Sequence, residues 1–284
     1  MHLSKISGLV GLGLAGLFFL AGAPGFAAEG DSGKSDSAET KEIIPPRQSW
    51  SFSGPLGKYD QAQLQRGFKV YHDVCSNCHS LKLVAFRNLG DPGGPGFSEG
   101  QVKALAATYK VKDGPDDSGN MFERPGRPSD HFPWNFPNAQ AARAALGGLP
   151  PDMSLLAKAR SYERGFPLFI ADIVTQFQEQ GPDYIVALME GYTKADDANW
   201  NEYFPGHKIA MPKPLADGAV EYTDGAPQTV HQYATDVAAF LMWAAEPKLE
   251  QRKHLGFRVI AFMVVFAGLL FFVKKRVWAA VDGH

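Results

Sequence analysis

Cysteine is almost missing from this chain of 284 residues: Cys75 and Cys78 are the only two. Two thiols cannot build a disulfide framework, so a fold of this size must rest on its own core. Net charge is almost missing too, at −2, which removes any reason to expect a nucleic-acid partner. No internal repeat recurs, and no stretch alternates apolar and polar residues convincingly enough to predict a strand. What the chain has in quantity is 30 glycines and 20 prolines, which point to long structured loops between helices.

Apolar runs occur at both ends. Residues 1–28 read as a secretory signal peptide: Lys5 is a short positive region, residues 6–21 are apolar, and small residues precede a cleavage point near Ala27 or Ala28. An uncleaved N-terminal anchor is the alternative, and either way the bulk of the chain is expected outside the cytoplasm. Near the other end, residues 255–273 are apolar apart from Arg258. At ~1.5 Å per residue they span roughly 28 Å, close to the hydrocarbon thickness of a bilayer. Arg258 sits near the end of the run, where its side chain can snorkel to the headgroups. Basic residues flank the run on both sides, so the signal peptide decides the orientation. Residues 29–46 are expected to be a flexible linker, 47–250 an exported domain, 255–273 a single-pass anchor, and 274–284 a short cytoplasmic tail.

Between the ends, residues 60–74 have helical spacing of Leu64, Phe68 and Tyr71 and lead into the cysteines. Glycine and proline break up residues 90–137, leaving room for a helix only at 99–110. Short helices are expected at 138–145 and 182–191. Residues 154–177 are expected to be largely helical, interrupted near 165–167, and 200–227 to be loop. Residues 229–247 predict a strong amphipathic helix running almost directly into the anchor. The fold class expected is mostly α, with long loops and one C-terminal transmembrane helix.

The stretch "VCSNCHS" holds both thiols and His79. Cys-x-x-Cys-His is the attachment signature of covalently bound haem. Two thiols three residues apart lie on one side of a helical turn and can reach the vinyl groups on one porphyrin edge. The next residue then brings its imidazole under the iron. A thioredoxin-like pair would need a βαβ context, and a zinc site would need further ligands at suitable spacing. A disulfide between Cys75 and Cys78 would close only a tiny loop. Haem c, one per chain, is therefore the expected cofactor, with Cys75 and Cys78 as anchors and His79 as proximal ligand.

The second axial ligand decides what such a haem does. An open position suits ligand binding; a thioether suits electron transfer. Of seven methionines, Met211 stands in a loop stiffened by Pro212 and Pro214, downstream of the haem motif. His207, Met153 and Met121 are the alternatives on spacing alone. Met189 and Met242 fall among apolar neighbours and read as core.

Several stretches together resemble the cytochrome c1 family, the haem c subunits of cytochrome bc1 complexes, in a bacterial form. They are "RGFKVYHDVCSNCHSL", "RPGRPSDHFP", "PNAQAARAALGGLPPDMS", "PDYIVALMEGY", "NEYFPGHKIAMPKPL" and "DVAAFLMWAAEP", in family order across most of residues 48–278. The resemblance implies a class I cytochrome c-like haem domain. It implies Met211 as the second iron ligand, Arg160 as partner of a haem propionate, and Asn138 and Tyr184 as pocket-lining residues. It further implies cytochrome b and Rieske iron–sulfur subunits as partners within a dimeric complex, and a soluble cytochrome c as acceptor. The haem domain is then periplasmic and the anchor lies in the bacterial inner membrane. Residues 161–183 are longer than in mitochondrial members, which predicts an extra helical excursion. The C-terminal helix of such a domain crosses the N-terminal one, which predicts contact between Phe68 and Tyr71 on one side and Phe240 and Trp243 on the other.

Charge patterning adds a further expectation. Asp217, Glu221, Asp224 and Asp236, with five acids between 183 and 202, form a candidate acidic rim for steering a basic partner. Two other functions compete with that of a complex subunit. A free-standing anchored cytochrome delivering electrons to a terminal oxidase would need a compact domain on a long tether. A haem sensor would need an open or labile axial position.

Overall fold

The computed structural model describes residues 43–162, 166–175, 177 and 179–279. The expected signal peptide, most of the linker and the last residues of the tail lie outside the described residues. In chain order the helices and strands are α1 (Gln61–Asp73), α2 (Glu99–Thr108), β1 (Lys110–Asp113), β2 (Phe122–Pro125), α3 (Ala139–Leu146), α4 (Leu156–Ala159), α5 (Leu168–Thr175), α6 (Gln180–Glu190), α7 (Val230–Ala245) and α8 (Leu249–Trp278). The mostly helical class expected from the sequence is the class found.

Local chemistry accounts for several helix starts. Asp60 caps α1 by accepting from the Gln63 amide at 2.8 Å, and Ser98 and Gln101 form a reciprocal capping box on α2. Thr229 caps α7 by accepting from the Gln232 amide at 3.3 Å. Each such cap satisfies an amide that the first helical turn leaves without a partner.

The core is organised by α1 crossing α7. Gly67 makes the crossing possible: a Cβ there would lie 2.0 Å from the Asp236 carbonyl oxygen and 2.7 Å from Phe240 Cβ. Around this point Phe68 meets Phe240 edge-on at 5.7 Å, Tyr71 lies 5.7 Å from Phe240, and Phe240 lies 5.5 Å from Trp243. The predicted aromatic contact is therefore present, with Phe240 as its hub. Gly67→Ala is expected to push the two helices apart and cost about 1–3 kcal/mol, the usual range for overpacking. Thermal melting in detergent, compared with Gly100→Ala on α2, where a Cβ would meet nothing within 4 Å, checks this.

Two sequence expectations need correction. No strand was expected, yet residues 110–125 fold as an antiparallel hairpin pairing Lys110 with Pro125 and Asp113 with Phe122. Its residues are exposed or only half-buried, so no buried face imposes the alternation by which strands are recognised. Residues 154–177 are not largely helical either. Among the described residues of that stretch the helices are the short α4 and α5. Arg160 is already extended (φ −105°, ψ 135°), and Pro167 disfavours helix in the residue before it.

At its far end α7 runs into α8 after only three residues. The joint is clamped by several groups. Glu246 pairs with both Lys158 and Arg252, and the Tyr59 amide donates to Glu250 at 3.1 Å. Lys253 Nζ donates to the carbonyls of Phe52 at 2.6 Å and Gly57 at 3.3 Å. Beyond the clamp α8 is long and apolar enough to cross a membrane, with a mean hydropathy of 2.4 and none of that window buried in the protein. It is a membrane anchor in character, and it begins before the residue-255 start read from hydropathy, because the clamp extends the helix into the domain.

Candidate functional site

The cysteine motif follows α1 directly. Residues Cys75–Asn77 make one 3₁₀ turn, and the amides of Cys78 and His79 both donate to the Cys75 carbonyl, at 3.2 and 2.9 Å. That turn holds two free thiols and the imidazole on one short, rigid piece of backbone.

His79 is almost fully buried, at 9 % exposure. Its Nδ1 lies 2.9 Å from the Pro151 carbonyl oxygen. A carbonyl can only accept, so Nδ1 carries the proton and Nε2 is left as the free basic nitrogen. Burial lowers the imidazole pKa, although the Pro151 carbonyl acts in the opposite direction. The ring is thus held neutral and in one tautomer, the form that ligates a metal.

Pro151 is itself held in place. The Ser80 carbonyl accepts from the Met153 amide at 2.8 Å. Asp152 accepts from the Ser80 hydroxyl at 2.6 Å and from the Lys82 amide at 3.0 Å, and Ser154 Oγ accepts from the Leu83 amide at 3.0 Å. Burial would raise the Asp152 carboxyl, but its hydrogen bonds from Ser154, Ser80 and the Lys82 amide outweigh it and hold the group below its ordinary value. On the other side of the motif, Trp134 Nε1 donates to the Cys78 carbonyl at 2.9 Å and Asn135 Nδ2 to the Ser76 carbonyl at 2.9 Å.

Met211 is half-buried and packs against the core. Its loop approaches the loop that carries Pro151, for a Cβ on Gly148 would sit 3.5 Å from Ala210 Cβ. Tyr192 donates its hydroxyl to the Met211 carbonyl at 2.8 Å. Buried Asn201 braces the rest of the loop: its Oδ1 accepts from the amides of Tyr203 and Phe204, and its Nδ2 donates to the Leu188 carbonyl at 2.7 Å. Proline and packing were the expected braces; Tyr192 and Asn201 carry no motif that would have announced them.

The other candidate axial ligands lie in different surroundings. Met121 is 64 % exposed beside the β-hairpin. Met153 is buried in the core, with its amide tied to Ser80, next in sequence to His79. His207 is stacked on Trp200 at 5.2 Å, and its Nδ1 is 3.1 Å from the Asn201 carbonyl oxygen.

The remaining predicted residues lie on or at the end of α3, α4 and α6. Asn138 caps α3, accepting from the Ala141 amide at 2.8 Å. Arg160 ends α4, is exposed, and makes no ion pair with the described residues. Tyr184 is buried on α6 and near enough to Tyr192 to influence its ionisation. The acidic rim is much reduced. Asp183 is buried under Trp50, which donates to it at 2.8 Å, and Asp236 is buried against Arg66. Asp224, Asp197 and Glu190 also have cationic or histidine partners.

Comparison with known proteins agrees with this geometry. The Cytochrome C1 family model matches residues 50–281. A protein named cytochrome c1 from Blastochloris viridis is 48% identical over 84% of this chain and 87% of its own length. Cytochrome c1-2, heme protein, mitochondrial, from Solanum tuberosum is 42% identical over 97% of both chains. A protein named cytochrome b/c1 from Bradyrhizobium diazoefficiens is 59% identical over 84% of this chain, which spans only 36% of that relative.

Proposed function

The chain belongs to the cytochrome c1 family, and from that premise we propose that it is the haem c electron-transfer subunit of a quinol–cytochrome c reductase. Proteins of this family are haem proteins with the cofactor bound covalently, and Cys75 and Cys78 occupy the attachment position. In this reading one electron arrives from a Rieske iron–sulfur protein and leaves to a soluble cytochrome c. The domain faces the periplasm of a bacterium, and the working unit is a dimeric complex.

The observation that carries the reading is the 2.9 Å approach of His79 Nδ1 to the Pro151 carbonyl oxygen on the turn that bears both thiols. The residues present fit the group. Cys75 and Cys78 would hold the porphyrin through thioethers, His79 Nε2 and the Met211 sulfur would ligate the iron, and Arg160 would pair with a propionate. Asn138 and Tyr184 would line the pocket wall. The haem supplies one-electron exchange. The protein's part is to keep both axial positions filled, so that only the oxidation state changes, and to exclude water around them.

The partners follow from the same reading. A relative named for both a cytochrome b and c1, of which this chain matches only part, supports cytochrome b as neighbour. The clamp of Glu246, Tyr59 and Lys253 at the α7–α8 joint supports a fixed domain over a tethered shuttle. Purification in mild detergent tests the proposal. Co-purification with a b-type cytochrome and a Rieske centre is expected; a lone haem c protein would instead support the free-standing carrier, and a reduced spectrum altered by carbon monoxide would point to an open axial site.

Tyr192 gives a finer test. Tyr192→Phe removes one half-buried hydrogen bond to the Met211 carbonyl, worth about 1 kcal/mol, or roughly fivefold in the population of the opened loop. Covalent haem is expected to persist, while exogenous imidazole displaces the methionine about fivefold more readily. An unchanged displacement rate would mean that the hydroxyl does not brace the ligand.

A further inference from the structure

Asp152 follows Pro151 and reaches back to the chain that leaves the cysteine motif. Its Oδ2 accepts from the Ser80 hydroxyl at 2.6 Å and from the Lys82 amide at 3.0 Å, and its Oδ1 accepts from the Ser154 amide at 2.9 Å. Two of these donors are backbone amides, which cannot accept, and the arrangement suits the ionised carboxylate. Residues 80–82 and 152–154 are thereby knotted together around one half-buried negative charge.

No cationic side chain answers that charge among the described residues. Lys82 serves it only through its amide, for the Lys82 ammonium lies over the Trp134 ring, 4.7 Å from its centroid. The charge does act inward, where Asp152 is an electrostatic neighbour of the buried His79 and Tyr71. The imidazole therefore has two electron-rich partners side by side in the chain. One is the Pro151 carbonyl, 2.9 Å from Nδ1, and the other is the carboxylate of the next residue. Such partners make a ligating imidazole more basic, and a more basic ligand favours the higher oxidation state of iron.

We propose that Asp152 is a positioning residue that tunes His79: it fixes the Pro151 carbonyl on Nδ1 and adds its own uncompensated charge, drawing the reduction potential down against the upward pull of the Met211 thioether. The assignment rests on the reading that His79 and Met211 ligate a covalently bound haem. The knot offers separate handles on its two parts. Ser80 contributes hydrogen bonding alone, and Asp152 contributes both hydrogen bonding and charge.

The test is a potentiometric titration of the full haem-bearing chain in mild detergent, comparing Asp152→Asn, Asp152→Glu and Ser80→Ala with the wild type. Asparagine removes the charge and keeps the size. At the wild-type midpoint its ferrous-to-ferric ratio is expected to rise about three- to tenfold, the order that one half-screened charge produces. That is a midpoint raised by about 30–60 mV, at 59 mV per decade for one electron. Asp152→Glu and Ser80→Ala disturb the hydrogen bonds but keep the charge, so both ratios are expected within about twofold of the wild type. Reduced Asp152→Asn is expected to ignore carbon monoxide, with both axial positions still filled. An unchanged ratio in Asp152→Asn would overturn the proposal, and so would a carbon monoxide response, because the residue would then hold the ligands in place and not tune them. A threefold rise in Asp152→Glu or Ser80→Ala would overturn it as well, even if Asp152→Asn fails to retain haem, because geometry without charge would then set the potential. A wild-type chain without covalent haem would overturn both this assignment and the reading beneath it.

Discussion

Replacing Met211 by leucine is expected to leave the haem on the chain and lower its reduction potential by on the order of 0.1–0.3 V, a sizeable part of the ~0.8 V over which axial ligation tunes haems. The two effects separate because they depend on different residues. Attachment depends on Cys75 and Cys78, which the substitution does not touch. In the proposed ligation the potential depends on the Met211 thioether, which favours ferrous iron. Leucine fills a similar volume, so the loop held by Tyr192 and Asn201 keeps its frame. The variant should also acquire a carbon monoxide response as the axial position opens. An unchanged potential would move the ligand to another residue, and His207, already stacked on Trp200, would be examined next.

The second large effect is on stability. Arg66 links α1 to α7 through a fork on Asp236, with Nε at 2.9 Å from Oδ2 and Nη2 at 3.2 Å from Oδ1, and it reaches Asp224 at 2.8 Å. Asp236 has no exposed side-chain surface. Tyr222 at 2.9 Å and Gln232 at 3.0 Å complete its shell. Arg66→Met would leave a buried carboxylate without its cation, a loss of about 3–5 kcal/mol. For a domain of this size that lowers the melting midpoint by roughly 10 °C. The double variant with Asp236→Leu should recover part of the loss, because the buried charge is then gone as well. Thermal melting followed at the haem absorbance, in detergent, separates the cases. Equal losses in the single and double variants would mean that the Arg66 stem, and not its charge, does the stabilising.

Chemistry that lives in side-chain identity could be read from the sequence, and chemistry that lives in backbone position could not. Cys75, Cys78 and His79 announce themselves by spacing, and α1 and α7 by the periodicity of their apolar residues. The acceptor that sets the His79 tautomer is the carbonyl of Pro151, and a carbonyl has no sequence signature. Tyr192 likewise acts on the backbone of Met211, at a distance along the chain that no motif encodes. The acidic rim was over-read because counting charges along the chain cannot tell a surface carboxylate from Asp236, paired inside the crossing of α1 and α7. The β1–β2 hairpin escaped because its exposed strands need no apolar alternation. The break after Arg160 began earlier than Pro167 alone would have set it.

Denaturing electrophoresis of the chain purified from its membrane, stained for haem, bears most directly on the central claim. The account predicts pigment migrating with the polypeptide after boiling in detergent, and its loss in Cys75→Ser, Cys78→Ser. A colourless wild-type band, with all haem at the dye front, would contradict it.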